Sequence, residues 1–261
     1  LVIYSAVVVG YIGNLSGGPV GSLIATCVSV ELGKIVSKET KLDIIVTPAT
    51  TIIVGSLIAT VLGPVLSSGM TSIGQFVIKA TELKPFFMGI VVSVVVGMVL
   101  TLPISSAALC MMIGLSGLAG GAATAGCSAQ MVGFAVISYK ENGLGGLVSQ
   151  GIGTSMLQIP NIVKNWKIWI PPTLASVITG PISTVVFKMT NIPIGSGMGT
   201  SGLVGQIGTI TSMSADGRSL GVIYTSILLV HIILPAVLSY LFYLPMKKIG
   251  WIKDGDMKLN L

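Results

Sequence analysis

Residues 86–102 read FFMGIVVSVVVGMVLTL, an apolar run without a single charged side chain. A helix needs about 20 predominantly apolar residues, within a range of roughly 17–25, to cross the hydrocarbon core of a bilayer. Pro103 follows at once, and a proline inside a helix removes a hydrogen bond and clashes with the preceding turn. The run therefore predicts a membrane-spanning helix that ends or kinks at Pro103.

The rest of the chain has the same apolar character. Of its 261 residues, 52% are hydrophobic and 8% are charged, and the mean hydropathy is +0.96. Soluble proteins carry roughly 25% charged residues. A bilayer removes the need for that charge, because its interior solvates apolar side chains. The composition therefore indicates an integral membrane protein in contact with the lipid bilayer and argues against a soluble enzyme.

Further segments of crossing or re-entrant length follow one another along the chain, with AGGAA at 119–123 separating two of them. They are residues 1–13, 19–36, 44–66, 86–102, 105–119, 122–139, 144–160, 168–187, 192–213 and 220–244. We predict an all-α polytopic membrane protein with about eight to ten transmembrane or re-entrant segments, some of them Gly-rich broken helices. Residues 1–261 are expected to form a single membrane domain. Because the chain begins inside an apolar run without Met, its first segment is expected to be the tail of a longer helix.

The basic residues lie at the ends of apolar runs and give a net charge of +6. Cytoplasmic loops of membrane proteins carry an excess of lysine and arginine. This rule places the loop with Lys164 and Lys167, and a short tail at 247–261, in the cytoplasm. The two crossings between them agree with that placement if 192–213 is re-entrant. The chain lacks the basic patch with interleaved aromatics that nucleic-acid binding requires, so no nucleic-acid partner is expected.

Two short repeats use glycine in different ways. GSLIAT occurs at 21–26 and 55–60, and its small residues favour a helix-packing surface over a substrate site. GxGTS occurs at 151–155 and 197–201, beside GLVSQ at 146–150 and GLVGQ at 202–206. Glycine-interrupted segments in two parts of a transporter are typical of its binding site, so a polar cavity is favoured over two extramembrane loops.

Uncharged side chains that can donate and accept hydrogen bonds are placed at membrane depth near these segments. Such groups suit a small polyhydroxylated solute, and one carboxylate joins them. The predicted substrate-binding residues are Gln130, Glu141, Asn142, Gln150, Thr154, Ser155, Gln158, Asn161, Ser196, Thr200, Ser201 and Gln206. His231 lies deep in the last span, where it is either functional or, more commonly, bonded to a neighbouring helix.

Four longer stretches carry a family resemblance. They are ELGKIVSKETKLDIIVTP (31–48), LPISSAAL (102–109), GFAVISYKENGLGGLVSQGIGTSMLQIPNI (133–162) and GSGMGTSGLVGQIG (195–208). Together they resemble the EIIC-like membrane subunits of the bacterial phosphotransferase system, and more narrowly the perfringolysin-regulator-like branch of that family.

The resemblance implies a sugar permease subunit, forming a homodimer in the bacterial inner (cytoplasmic) membrane. In such systems the phosphate is carried on His or Cys of separate IIA and IIB domains, so phosphorylation would need these partners in trans. The chain would then be at most the permease part of a sugar phosphotransferase, and no catalytic residue, cofactor or metal is expected. Two other functions stay open: a stand-alone transporter or channel, and a membrane sensor that regulates gene expression through a partner protein.

Overall fold

The computed structural model describes residues 2–39 and 42–259. Regular structure in this part of the chain is helical, apart from one isolated bridge between Gly117 and Asn191. The α-helices are α1 (Val2–Val36), α2 (Asp43–Leu83), α3 (Pro85–Thr101), α4 (Ser106–Met112), α5 (Gly117–Ile137), α6 (Tyr139–Val148), α7 (Ile159–Lys164), α8 (Ile170–Pro181), α9 (Pro193–Ser196), α10 (Val204–Ala215), α11 (Leu220–Ile227) and α12 (Leu234–Lys248). Short π-helical or 3-10 turns are Ser149–Gly153, Ser155–Gln158, Trp166–Trp169, Ile182–Val186, Ser201–Leu203 and Leu228–Ile233.

Several helical stretches are long and apolar enough to cross a membrane. Among the described residues five meet that criterion, namely Val2–Val36, Asp43–Leu83, Gly117–Ile137, Trp166–Val186 and Leu220–Lys248. α3 is a shorter apolar helix that coincides with the run at 86–102. The prediction of an all-α polytopic membrane protein is therefore confirmed.

The described chain divides into two compact units. The first comprises the chain up to Gly74 together with Met112–Gly114, and it contains α1 and most of α2. The second comprises Gln75–Met111 and the chain from Leu115 onward, and it contains α3 and α5 to α12.

In the first unit, α1 is a helical hairpin. Gly18, at its middle, has φ 61° and ψ −158°, a conformation that essentially only glycine adopts. A Cβ added to Gly13 would lie 2.7 Å from the Cα of Ser22. In a straight helix two residues nine positions apart are separated by roughly 13 Å. The chain therefore folds back at Gly18, and the two halves correspond to the separate segments predicted at 1–13 and 19–36.

The GSLIAT repeats lie in α1 and α2, where they line contacts with the first half of α1. The Gly and Ala of each copy, Gly21 with Ala25 and Gly55 with Ala59, are buried, whereas their leucines are 58% and 60% exposed. Small residues four positions apart share one face of a helix and allow backbones to come close. The repeat is thus a packing surface within the first unit, as the sequence favoured.

In the second unit, α5 is the helix on which its neighbours pack. Every residue from Ala119 to Met131 is buried, and most are small. A Cβ on Gly126 would overlap the carbonyl oxygen of Ser93 in α3, and one on Gly121 would overlap the carbonyl oxygen of Met189. The glycines therefore let other segments approach the α5 backbone directly.

One predicted boundary is wrong. AGGAA at 119–123 was expected to separate two segments, but it lies inside α5 and is buried. The break falls earlier, at Gly114 and Gly117, whose φ values are 63° and 61°. The glycines of AGGAA serve close packing instead, which composition alone does not distinguish from a turn.

Candidate functional site

The two GxGTS segments meet in the second unit. The hydroxyl of Thr200 donates to the carbonyl oxygen of Gly151 across 2.6 Å, and Thr200 is buried. Neither segment continues as an α-helix, because Ser149–Gly153 is a π-helical turn and Ser201–Leu203 is a 3-10 turn. Broken backbone at membrane depth is tolerated only where protein or a water-filled cavity satisfies its polar groups. The hydroxyl of Thr200 provides one such partner to the opposite segment.

The second of these segments requires its glycines. Gly199 has φ 52°, and a Cβ there would lie 2.7 Å from the backbone of Cys127 in α5. Gly202 and Leu203 follow with φ 52° and 60°. A left-handed conformation costs a residue with a side chain, such as Leu203, roughly 1–2 kcal/mol, and strain of this kind clusters at functional sites.

Asn191 anchors the same segment, although the sequence did not single it out. Its amide donates to the hydroxyls of Thr124 (2.6 Å) and Thr209 (3.2 Å) and to the carbonyl of Gly205 (3.0 Å). Its side-chain oxygen accepts from the N–H of Ile192 at 2.8 Å. Asn191 is fully buried, so it holds α10 against α5 with all its polar atoms paired.

Three of the predicted amides form a chain of hydrogen bonds. Gln150 donates to the hydroxyl of Ser138 at 2.8 Å and accepts from Gln158 at 2.8 Å. Gln158 in turn accepts from Asn161 at 2.9 Å. All four side chains are buried. Because each amide orients the next, these hydrogen bonds hold the three side chains in fixed positions.

Glu141 and Asn142 join these amides at the start of α6. Gly143 has φ 59° and ψ −155° and turns the backbone immediately after them. Both side chains bind the backbone of residues 252–259, here called the tail segment. Gln158 and Asn161 bind the same segment. The structure therefore brings five predicted residues together, and we call Glu141, Asn142, Gln150, Gln158 and Asn161 the amide cluster.

Gln130 and Ser155 lie in a second polar group. The side-chain oxygen of Gln130 accepts from the indole of Trp169 at 3.0 Å, and its amide donates to Thr173 at 3.1 Å. The hydroxyls of Ser155 and Thr101 share a 2.9 Å hydrogen bond. Thr101, Trp169 and Thr173 were not predicted, because single polar residues in apolar runs give no local signal.

Gln206 lies in α10, beside the only histidine of the chain. Its amide is 3.3 Å from Nδ1 of His231, which lies in the π-helical turn of the last span. Both residues are buried, and neither Oε1 of Gln206 nor Nε2 of His231 has a partner among the described residues. His231 is thus bonded to a neighbouring helix and leaves one polar atom unpaired.

The remaining predicted residues are placed differently. Ser196 donates to the carbonyls of Leu115 (2.8 Å) and Ile192 (2.9 Å) and so holds the chain locally. The hydroxyl of Thr154 accepts from the N–H of Met156 at 3.1 Å. Ser201 is half-buried at the start of the 3-10 turn.

A cavity of about 570 Å³ adjoins the amide cluster. Its polar lining includes Thr154, Asn161, Lys164 and Lys258. Pockets for small ligands commonly have volumes of about 300–1,000 Å³. The cavity is therefore large enough for a small solute, and two predicted residues face it.

The loop after α7 lies against the part of the chain that follows α12. The amide of Asn165 donates to the carbonyl of Trp251 at 2.9 Å and to the carboxylate of Asp256 at 2.8 Å. The ammonium of Lys167 lies 5.4 Å from the ring centre of Trp251. The two regions that the charge distribution assigned to one side of the membrane are thus in contact.

An ion pair closes the turn that leads into the tail segment. Lys247, in the last turn of α12, bonds the carboxylate of Asp254. That hydrogen bond, with the charge of the ammonium, lowers the pKa of Asp254 below its ordinary range. Asp254 is largely exposed, so the pair orients the turn more than it stabilises the fold.

Helices of membrane-crossing length, together with glycine-broken segments lined by neutral polar groups, are the architecture of a polytopic membrane transport protein. More narrowly, the chain belongs to the phosphotransferase system EIIC family, whose model matches residues 2–259. No curated protein and no solved structure matches the chain. The family resemblance and the expectation of a membrane permease component are therefore confirmed.

Proposed function

We propose that this EIIC protein moves a small sugar-like solute across the bacterial inner membrane as the permease component of a phosphoenolpyruvate-dependent phosphotransferase system. Its phosphoryl group would come from IIA and IIB carrier proteins in trans. The observation that carries the proposal is the meeting of the two GxGTS segments, through Thr200 and Gly151, beside the amide cluster.

The chemistry of the site supports a hydroxylated solute. Amides and hydroxyls both donate and accept, which matches the two roles of a sugar hydroxyl. A site built to bond hydroxyls rejects analogues that lack them, because its own buried polar groups are then left unpaired. Glu141 adds one carboxylate, which accepts charge-assisted hydrogen bonds from hydroxyls.

The side of the membrane follows from charge. The contact between Asn165 and Trp251 supports one common side for the 164–167 loop and the tail at 247–261, and positive-inside logic makes that side cytoplasmic. Phosphorylated partners would then approach the solute from the side where the cavity of about 570 Å³ is lined by Lys164 and Lys258. We further propose that residues 1–261 work as one membrane domain within a homodimer.

A thermal-shift screen of the purified protein against sugars, polyols and small anions tests the solute class, because a ligand that binds only the folded state stabilises it. We expect a sugar or polyol to raise the melting temperature. A shift from a non-hydroxylated compound alone would favour a stand-alone transporter, and binding without flux in proteoliposomes would favour a sensor.

Substitutions then test the residues. Gln150→Ala and Gln206→Ala each remove a side chain that can donate and accept, so each should weaken solute binding about fivefold, as the loss of one net hydrogen bond of about 1 kcal/mol predicts. Gln75→Ala, on an exposed position of α2, is the matched control and should bind normally. If both substitutions leave the affinity unchanged, the proposed site is wrong.

A further inference from the structure

The tail segment lies where the proposed solute would bind. After α12 the chain turns at Gly250 and Gly255, with φ 75° and 94°. Ile252 and Met257 are then 1% and 0% exposed, within a cluster that includes Phe134 of α5. The segment is therefore held by two apolar anchors at the edge of the amide cluster.

Its backbone is bound by Glu141 and Asn142. The N–H of Met257 donates to Oε2 of Glu141 at 3.0 Å. The amide of Asn142 donates to the carbonyl of Met257 at 2.8 Å, and the N–H of Leu259 donates to Oδ1 of Asn142 at 2.8 Å. One asparagine thus pairs with the segment as a neighbouring strand would, using both its donor and its acceptor.

Two further amides of the cluster, Gln158 and Asn161, bind the same stretch. Gln158 donates to the carbonyl of Met257 at 3.1 Å, and Asn161 donates to the carbonyl of Lys258 at 3.0 Å. Gly255, Lys258 and Leu259 also form part of the wall of the cavity of about 570 Å³. Donors that a hydroxylated solute would use are therefore occupied by peptide carbonyls.

We propose that the tail segment is an internal competitor of the solute: it occupies the amide cluster and must leave for the solute to bind there. This inference rests on the proposed function of the cluster. The bonds use backbone atoms of the consecutive residues 257–259, so they break together when this stretch moves, a movement that also withdraws Met257 from its apolar cluster. When a competent state is only partly populated, the observed affinity falls by that fraction.

A reversible lock tests this directly. Asn165 and Asp256 are short side chains whose ends are 2.8 Å apart, and neither belongs to the amide cluster. The full chain carrying Asn165→Cys, Asp256→Cys and Cys27→Ser is treated with a short bis-thiosulfonate, which bridges the two thiols through a mixed disulfide at each end and so keeps the tail segment in place. This bridged protein is here called oxidised, and a thiol reductant removes the bridge. Binding of glucose, mannitol and N-acetylglucosamine is measured by calorimetry in the oxidised protein and again after reduction, so each sample is its own control.

A second variant is designed to loosen the tail segment instead of fixing it. Gly255→Ala strains a residue at φ 94°, while its Cβ would meet nothing within 4 Å. Gly217→Ala is the matched control, because Gly217 has φ 74° and equally open surroundings but lies in the turn between α10 and α11. We expect Gly255→Ala to tighten binding, and the oxidised lock to weaken it about tenfold or more relative to the reduced protein.

The outcomes separate the two proposals. If a sugar binds equally well in the oxidised, reduced and Gly255→Ala proteins, the tail segment is only structural and the competitor proposal is overturned, while the proposed function stands. If none of the three compounds binds any form, including Gly255→Ala, the proposed solute site is wrong. The competitor proposal, which rests on that site, is then wrong as well.

Discussion

The first and second units both depend on repeated glycine motifs, but they use glycine for opposite purposes. In GSLIAT the small residues are four positions apart, and the helices of α1 and α2 continue through them. The glycines are buried, Gly21 against the backbone of Gly13 and Gly55 against the side chain of Val9. In GxGTS the glycines are two positions apart and followed by hydroxyl residues, and the helix ends there.

Spacing, more than glycine content, thus decides whether a helix packs closely or is broken. A spacing of four keeps small residues on one helix face. A spacing of two places them on different faces, where they serve no single packing surface, and Thr and Ser can bond the freed backbone groups. The hydrogen bond from Thr200 to Gly151 is an example.

The largest expected effect comes from Gly199→Ala in the broken segment. The new side chain would have to adopt a φ of 52° and place its Cβ 2.7 Å from the backbone of Cys127. The free energy of unfolding in mixed micelles should therefore fall by about 3 kcal/mol. Gly153→Ala, in the first broken segment, meets nothing within 4 Å and should cost far less. Equal costs for the two would mean that the contact with α5 is not as described.

A smaller loss is expected where α1 and α2 pack closely beside the GSLIAT repeats. Gly17→Ala would place a Cβ 2.6 Å from the Cα of Gly63 and should cost about 2 kcal/mol of stability. Gly69→Ala, in α2, has open space around it and should be neutral or stabilise the helix by up to about 1 kcal/mol. An SDS titration measures the stability of both variants, and a destabilised Gly69→Ala would show that close packing is not what makes Gly17 costly to replace.

The pair of Gln206 and His231 gives a third test. Gln206→Met should destabilise the protein by roughly 1–3 kcal/mol, because it leaves Nδ1 of His231 buried without its partner. Adding His231→Leu removes the stranded group, so the double variant should recover most of that loss. A double variant that is less stable than either single variant would show that the two side chains do more than pair with each other.

The smallest effect concerns pH. The pKa of Asp254 is lowered below 3.8 by its bond to Lys247, so the contribution of the pair is complete above that value and is lost as the pH falls through the folded pKa. Asp254→Asn should flatten the acid limb of a melting-temperature profile slightly and leave neutral pH almost unchanged. An unchanged acid limb would mean that the pair contributes nothing.

Much of the fold was predictable, because hydropathy and length are properties of continuous segments. The run at 86–102 became α3, and the break at GxGTS followed from its glycines. The AGGAA boundary was wrong because Gly120 packs against Asn191 and Gly121 against Met189, and both are contacts between distant residues. Sequence patterns do not record such contacts.

The candidate site was predictable in its residue types but not in its grouping. Glu141, Asn142, Gln158 and Asn161 were singled out as polar groups in apolar surroundings. The sequence did not predict that all four bind the tail segment. They bind its backbone atoms, and because every residue carries the same backbone atoms, no side-chain pattern marks the partner. The role of Gln130 as a partner of Trp169 likewise depends on tertiary structure.

We propose above that the glycine-broken segments form a polar site that water and a hydroxylated solute can enter. The most direct test is the reaction of Thr154→Cys, in a Cys27→Ser background, with a charged membrane-impermeant thiosulfonate, since thiols react as thiolates in water. Val61→Cys, at a 67% exposed position on apolar α2, is the lipid-facing control. We expect Thr154→Cys to react much faster than Val61→Cys and to be protected by the best-binding sugar or polyol. Equal rates at the two positions, or no protection by any hydroxylated solute, would contradict it.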